Sequence, residues 1–321
     1  YRTVIGVENE DQGLLLDVDE SKCLRGRVVS AIGLNQLVET EDGRRYECSV
    51  RGVVRELARD GRNAVVTGDR VLFQPTGEDQ GVIERVEPRR GTVSRTSQGR
   101  EHVIVANVDQ MLIVASAHDP PLKTALIDRF LISAEKGGVR SVLCINKSDL
   151  IDPVALQPII GRYSRLGYDV VLTSAARGTG TRRLRELLAD RQTALAGQSG
   201  VGKTSLLNAL QPGLNLRIGE VSDWTRKGRH TTRRAELLRL EFGGWVVDTP
   251  GVRQFGLWDV TAEEVEGHFI EFRPFVTLCK FPDCSHTHEA GCGVKTAVAG
   301  DLIAGDRYES YLRIVTGDET S

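Results

Sequence analysis

The sequence predicts a multidomain chain: an N-terminal all-β, OB-like barrel, a central α/β P-loop domain, and a small α-rich C-terminal domain with a Cys/His cluster. Three observations carry this. Short apolar segments separated by turn residues fill residues 22–90. Apolar runs then alternate with helical segments, and one run leads into Gly197–Thr204, a complete G-x-x-x-x-G-K-[ST] motif. Finally, Cys279, Cys284, His286 and Cys292 fall within fourteen residues.

A length of 321 residues suits two or three domains. The net charge of −2 excludes a uniformly basic nucleic-acid coat but leaves room for local basic patches. No apolar stretch approaches the ~20 residues that span a bilayer, so no membrane association is expected. No basic segment followed by an apolar run stands near Tyr1, so no signal peptide is expected; because Tyr1 is not Met, further residues upstream are. Cys23, Cys48 and Cys144 stand alone and read as buried thiols. A monomer in a reducing cytoplasm is the expectation.

Residues 1–21 are acidic and read as a loosely attached extension. In residues 22–90 the candidate strands are Arg27–Ile32, Gln36–Thr40, Arg45–Val50, Asn63–Val66 with Arg70–Gln74, and Gly81–Val86. Turns such as Glu41-Asp42-Gly43 separate them. Five short strands suit an OB-fold, with any small β-barrel lacking a ligand as the alternative. Residues 91–101 are polar and basic and read as a linker. In residues 102–256 the apolar runs are Gln110–Ala115, Val142–Ile145, Val170–Leu172, Thr193–Ala196 and Trp245–Val247. Leu126, Ile127, Phe130 and Leu131 mark a helix between the first two. That alternation implies a mostly parallel sheet covered by helices. Residues 257–321 form the C-terminal domain.

The phosphate loop comprises Gly197, Gln198, Ser199, Gly200, Val201, Gly202, Lys203, Thr204 and Ser205, between a strand and a helix. Its glycines let backbone N–H groups curl round an anion at a helix N-terminus. Lys203 reaches β- and γ-phosphates, and the Thr204 hydroxyl ligates Mg²⁺. The alternative is a Gly-rich turn.

Asn146, Lys147, Ser148 and Asp149 follow the strand Val142–Ile145. An ionised Asp accepts both the ring N–H and the exocyclic amine of guanine, a donor pair that adenine lacks. Asn146 ties this turn to the phosphate loop, and the Lys147 stem covers a ring face. Ser174 and Ala175, in Thr173-Ser174-Ala175, offer a backbone N–H to the guanine carbonyl. The bland alternative for the four-residue box is a helix N-cap. Asp248-Thr249-Pro250-Gly251 ends the last apolar run. Asp248 holds Mg²⁺ through water, and the Gly251 N–H reaches the γ-phosphate. By itself this is also a good turn sequence. Between lie Thr231 and Thr232, of which Thr232 is preferred to complete the Mg²⁺ shell.

The boxes thus run base-reading, phosphate loop, γ-phosphate sensor, a circular permutation of the ordinary order, which is tolerated when the old termini lie close together. With the barrel and the Cys/His tail, the arrangement resembles the bacterial ribosome small-subunit-dependent GTPases of the RsgA, or YjeQ, type, from about residue 22 onward. The resemblance implies a permuted P-loop GTPase domain that binds GTP and GDP with Mg²⁺, acts on the maturing small ribosomal subunit and its rRNA, and leaves after hydrolysis. Arg233 stands where the family often has a third threonine, and Thr204 where Ser is commoner.

Three thiolates and an imidazole suffice for a closed, structural Zn²⁺ site, one per chain. His288 competes with His286, and the resemblance selects His286. Buried cysteines of a small core are the alternative. The position after Asp248–Gly251, where many GTPases have a water-orienting Gln, is Val252. His230 is the candidate catalytic group, with Lys203 and Gly251 beside the phosphates; an exposed loop residue or an RNA contact is its alternative. Gly200 cannot hold K⁺ as an Asn would. Two basic clusters, Arg89, Arg90, Arg95 and Arg100, and Arg226, Lys227, Arg229, Arg233 and Arg234, read as rRNA contacts or as solvated charge. The expected function is a slow GTP hydrolase stimulated by small subunits; the alternative is a GTP-responsive RNA- or ribosome-binding module with negligible hydrolysis.

Overall fold

The computed structural model describes residues 19–33, 35–52, 54, 64–97, 100–214, 235–248 and 262–317. The chain forms two compact units. One holds the described residues of Tyr1–Val108 and Arg234–Leu238, the other those of Asp109–Arg233 and Arg239–Ser321.

In the first unit, strands β1 (Leu24–Ile32), β2 (Asn35–Glu39), β3 (Arg45–Val50), β4 (Arg70–Pro75) and β5 (Gln80–Val86) form a closed barrel. Their order is β1-β2-β3-β5-β4, and β1 pairs back onto β4. All neighbours are antiparallel except β3 and β5. Closure removes the free edges that a five-stranded sheet would otherwise expose. Strict alternation in β3 sends Tyr46, Cys48 and Val50 inward. They meet Val28, Val38, Val71, Phe73 and Ile83 in the core. Residues 64–66, expected as part of a strand, are not one. Val65 and Val66 are buried, and the Val66 N–H donates to Asp69 Oδ2 at 2.8 Å.

Residues 91–101 are not a plain linker. Strands β6 (Thr92–Ser97) and β7 (Arg100–Ala106) form an antiparallel pair. Thr67 bridges Val105, and the Asn107 side chain joins Arg90 N to Gly68 O. Only every second residue of so short a pair needs to be apolar, so its polar composition concealed it. Arg89, expected on an RNA-binding surface, turns inward. Its guanidinium makes a two-pronged contact with Asp69, at 2.8 Å to Oδ1 and 2.9 Å to Oδ2.

The second unit contains a parallel sheet in the order β10-β9-β8-β11-β13. Its elements run β8 (Gln110–Ser116), α1 (Thr124–Lys136), β9 (Arg140–Asn146), α2 (Gln157–Arg165), β10 (Asp169–Leu172), α3 (Thr181–Leu188), β11 (Gln192–Ala196), α4 (Lys203–Leu210) and, after β12 (Glu236–Arg239), β13 (Trp245–Asp248). Every residue of β8 is buried, as a central strand covered on both faces requires. Leu184, Leu188, Leu206, Leu207 and Leu210 from α3 and α4 cover one face. Strand β12 belongs to the first unit through Leu238: there Glu236 pairs with Ser30 of β1, and Thr67 Oγ1 donates to Ala235 O at 2.9 Å.

Helices α5 (Ala262–His268), α6 (Arg273–Val276), α7 (Gly293–Ala299) and α8 (Gly305–Thr316) complete this unit. Ile132 of α1 shares one core with Val265, Phe269, Phe272, Val294 and Tyr311. Arg307 of α8 is 1% exposed and lies between two carboxylates. It contacts Asp128 Oδ1 of α1 at 2.7 Å and Glu271 Oε1 at 2.6 Å, and lies 4.5 Å from the Phe269 ring centre. Tyr163 OH also donates to Asp128, at 2.7 Å. The expected boundary between residues 256 and 257 lies outside the described residues. No helix among the described residues is long and apolar enough to cross a membrane.

Burial raises the Asp69 carboxyl above its ordinary range, and the Arg89 guanidinium opposes that rise. Removing the cation leaves a buried charge unmatched. Arg89→Ala is expected to destabilise the barrel by about 3 kcal/mol at neutral pH, read by hydrogen exchange of β1 and β4 amides during urea titration. A carboxyl whose folded-state value is raised binds its proton more readily when folded. The deficit against the parent should therefore shrink as pH falls through that value.

Candidate functional site

The carboxyl ends of β8, β9, β10, β11 and β13 form one edge of the sheet. From β8 the chain passes through α1 to β9 on one side, and from β10 it returns through α3 to β11 on the other side of β8. The β8–β11 junction is therefore the switch point at which open α/β sheets bind ligands.

The phosphate loop crosses that junction from β11 to α4. Gly197 has φ +136°, and a Cβ on it would stand 2.2 Å from Val114 O of β8. Gly202 has φ +91°, and a Cβ there would stand 2.5 Å from Asn146 Nδ2. Both positions therefore exclude any larger residue. Ser199 and Gly200 are exposed at the loop's crown, Gln198 and Ser205 are half-buried, and Val201 is buried beneath it. Lys203 Nζ donates to Gly197 O at 2.6 Å and to Gln198 O at 2.8 Å, so its ammonium sits within the loop. Thr204 is buried at the start of α4.

Asn146, 1% exposed at the end of β9, joins three segments. Its Nδ2 donates to Val201 O of the phosphate loop at 2.9 Å. Its Oδ1 accepts from Thr173 Oγ1 at 3.1 Å and from Ala175 N at 3.2 Å. Ser148 N donates to Thr173 O at 3.0 Å, fixing the Asn146–Asp149 turn against the segment after β10. Lys147 takes φ +60°, and its Nζ reaches Asp119 O at 2.5 Å. Asp149 stands at the open end. The Ser174 hydroxyl, and more weakly the Arg177 guanidinium, hold its carboxyl below the usual carboxylate range. It is thus an ionised, acceptor-only group at neutral pH, with Arg177 Nε 3.9 Å away.

Backbone pairing aligns Asp248 at the end of β13 with Leu195 of β11, next to the phosphate loop. The expectations for His230, Thr232 and Gly251, and for the basic segment around them, lie outside the described residues.

A second constellation lies in the C-terminal part of this unit. The donor atoms of Cys279, Cys284, His286 and Cys292 all fall within 4.8 Å of one another. His286 Nδ1 is 3.5 Å from Cys279 Sγ and 3.3 Å from Cys292 Sγ, and those sulfurs are 3.9 Å apart. Tetrahedral zinc with sulfur ligands has donor–donor edges of about 3.8 Å, so the donor set fits such an ion. Burial pushes the Cys284 thiol up to about 12, an environment that favours thiolates only beside a cation. His286 takes φ +57°, and its carbonyl accepts from Tyr308 OH at 2.7 Å. Glu289 ties the ligand loop by accepting from Ser285 N at 2.8 Å and Thr287 N at 3.1 Å. The competing His288 is exposed, with Thr287 Oγ1 at 2.9 Å from its Nδ1.

Sequence reasoning gave Thr173 no role of its own, nor any to the turn after β8. A hydroxyl next to Ser174-Ala175 was the available signal for Thr173. Asp119 acts through its carbonyl, which any residue supplies, so it left no signal.

The sequence profile of the RsgA GTPase family matches residues 86–258. A small ribosomal subunit biogenesis GTPase RsgA of Chlorobaculum tepidum is 41% identical over 304 residues, covering 91% of this chain and 97% of that protein. A protein of the same name from Gemmatimonas aurantiaca is 42% identical over 295 residues, covering 90% and 95%. Among solved structures, YjeQ from Thermotoga maritima is similar with a TM-score of 0.77 and 40% identity, covering 92% of this chain and 98% of that one. The circularly permuted GTPase YloQ has a TM-score of 0.73 and 30% identity, covering 93% and 96%.

Replacing Asn146 removes the link between the phosphate loop and the segment after β10. Asn146→Ala is expected to weaken GDP binding by roughly tenfold or more through its lost buried hydrogen bonds, measured by titration calorimetry. A change under about twofold contradicts that role for the amide.

Proposed function

The chain belongs to the RsgA GTPase family, and from that membership we propose that it hydrolyses GTP to GDP and phosphate in the late maturation of the small ribosomal subunit. The observation that carries this reading is the Asn146 side chain, which binds the phosphate loop and the base-reading segments into one site.

The roles follow from the donors and acceptors on this edge. Gly197–Ser205 wraps the phosphates with backbone N–H groups, and Lys203 exchanges its loop carbonyls for β- and γ-phosphate oxygens. Asp149 accepts the two guanine donors, Ser174 and Ala175 border the guanine carbonyl, and the Lys147 stem lies along a ring face. Thr204, Thr232 and Asp248 would hold Mg²⁺, and the Gly251 N–H would reach the γ-phosphate. Bound Mg²⁺ supplies neutralisation of the phosphate charge that develops during transfer. The structural metal at Cys279, Cys284, His286 and Cys292 is zinc, which supplies folding energy to the C-terminal part. The partners are the small subunit and its rRNA, met by a monomer in the cytoplasm.

Val252 stands where a water-orienting Gln is common. Turnover by the free protein should therefore be slow, and His230 becomes the group that a bound subunit would position. The same Val252 favours the second reading, a GTP-responsive ribosome-binding module with negligible hydrolysis.

GTP turnover measured with free protein, with small subunits and with large subunits separates these readings. Strong stimulation by small subunits alone is expected, and His230→Ala should abolish most of it. Equal rates in all three defeat the proposal. Binding to small subunits without stimulated turnover establishes the second reading.

A further inference from the structure

The imidazole of His286 has two faces of different character. Nδ1 looks into the cysteine cluster, 3.3 Å from Cys292 Sγ and 3.5 Å from Cys279 Sγ. Nε2 looks the other way, is fully buried, and has no hydrogen bond of good geometry. Facing it is Glu266 Oε2, 3.1 Å away. A buried ring N–H left without an acceptor is destabilising by about 1–3 kcal/mol. Metal ligation through one imidazole nitrogen obliges the other to carry its proton at neutral pH, so it needs an acceptor.

We propose that Glu266 is the positioning residue of the metal centre: its carboxylate accepts the Nε2 proton of His286 and thereby commits Nδ1 to the metal. This rests on the metal reading given above.

Three further observations support it. The ring has little freedom to turn over: Phe272 meets it edge-on at 6.1 Å and Tyr311 lies 6.3 Å away. The His286 backbone is tied through the Tyr308 hydroxyl. Glu266 is carried by α5, which is fixed to α1 by the Lys136–Glu264 ion pair at 3.0 Å and by burial of Val265. The cysteine side has a matching outer layer, because Gly293 N donates to Cys279 Sγ at 3.3 Å and Lys295 N to Cys292 Sγ at 3.4 Å. Backbone donors spread the thiolate charge while the carboxylate makes the imidazole a stronger donor. Nothing near the cysteines in sequence marks Glu266, since it lies on a separate helix.

The test uses the full chain loaded with zinc, in parent, Glu266→Ala and Glu266→Gln forms, titrated with a chromophoric chelator at fixed pH. Glu266→Ala should bind zinc about 10–100-fold more weakly. Glu266→Gln, which keeps an acceptor oxygen, should recover part of that loss. Long-range proton–nitrogen spectra of the zinc-loaded parent should show Nε2 protonated and Nδ1 metal-bound. A parent that binds no zinc sinks the metal reading and this inference together. A parent that binds zinc through Nε2, or a soluble Glu266→Ala variant within about twofold of it, overturns this inference alone. If Glu266→Ala does not fold, the parent spectrum and Glu266→Gln decide the matter.

Discussion

The nucleotide edge depends on one buried amide. Asn146 donates to the phosphate loop at Val201 and accepts from Thr173 and Ala175, so three stretches of chain meet on a single side chain. Gly202 packs against that same amide nitrogen, so no larger residue fits beside it. A primary amide is the group that suits this place, because it offers donors and an acceptor on one rigid plane. Asp would lack the donor, and Leu would leave the Val201 carbonyl unpaired.

That amide also explains why the permuted chain order is tolerated. In the sheet, β8 lies between β11 and β9, so the phosphate loop meets the segment that begins at Asn146 whatever the order in which the chain reaches them. The permutation places β13, and Asp248 at its end, just ahead of the C-terminal helices. Those helices do not hang free of the nucleotide domain. Ile132 and the Arg307 pairs with Asp128 and Glu271 build them into the same compact unit. A nucleotide-driven reorientation of that part against α1 would have to break a buried charge cluster, which is strongly unfavourable.

Much of this was legible in the sequence, for specific reasons. The phosphate loop, Asn146–Asp149 and the cysteines are read because their chemistry fixes residue type at fixed spacing. The barrel strands are read because inward residues alternate, as Tyr46, Cys48 and Val50 do. What escaped carries no local apolar or motif signal. The pairing of β6 with β7 was hidden by polar composition. Arg89 looked like surface charge because its partner, Asp69, is twenty residues earlier on another strand end. Glu266 and Asp119 act by position, one through a carboxylate and one through a backbone carbonyl, and no local pattern announces either.

The central claim is that this edge reads guanine through Asp149. The most direct measurement is the affinity of the parent and of Asp149→Asn for GDP, ADP and xanthosine diphosphate. Xanthine carries a carbonyl where guanine carries the exocyclic amine, so an amide at position 149 complements it while the carboxylate does not. The parent should prefer GDP over ADP by about a hundredfold or more, and the variant should lose GDP affinity and gain affinity for the xanthosine nucleotide. A parent that binds ADP as tightly as GDP, or a variant that keeps its guanine preference, contradicts the account.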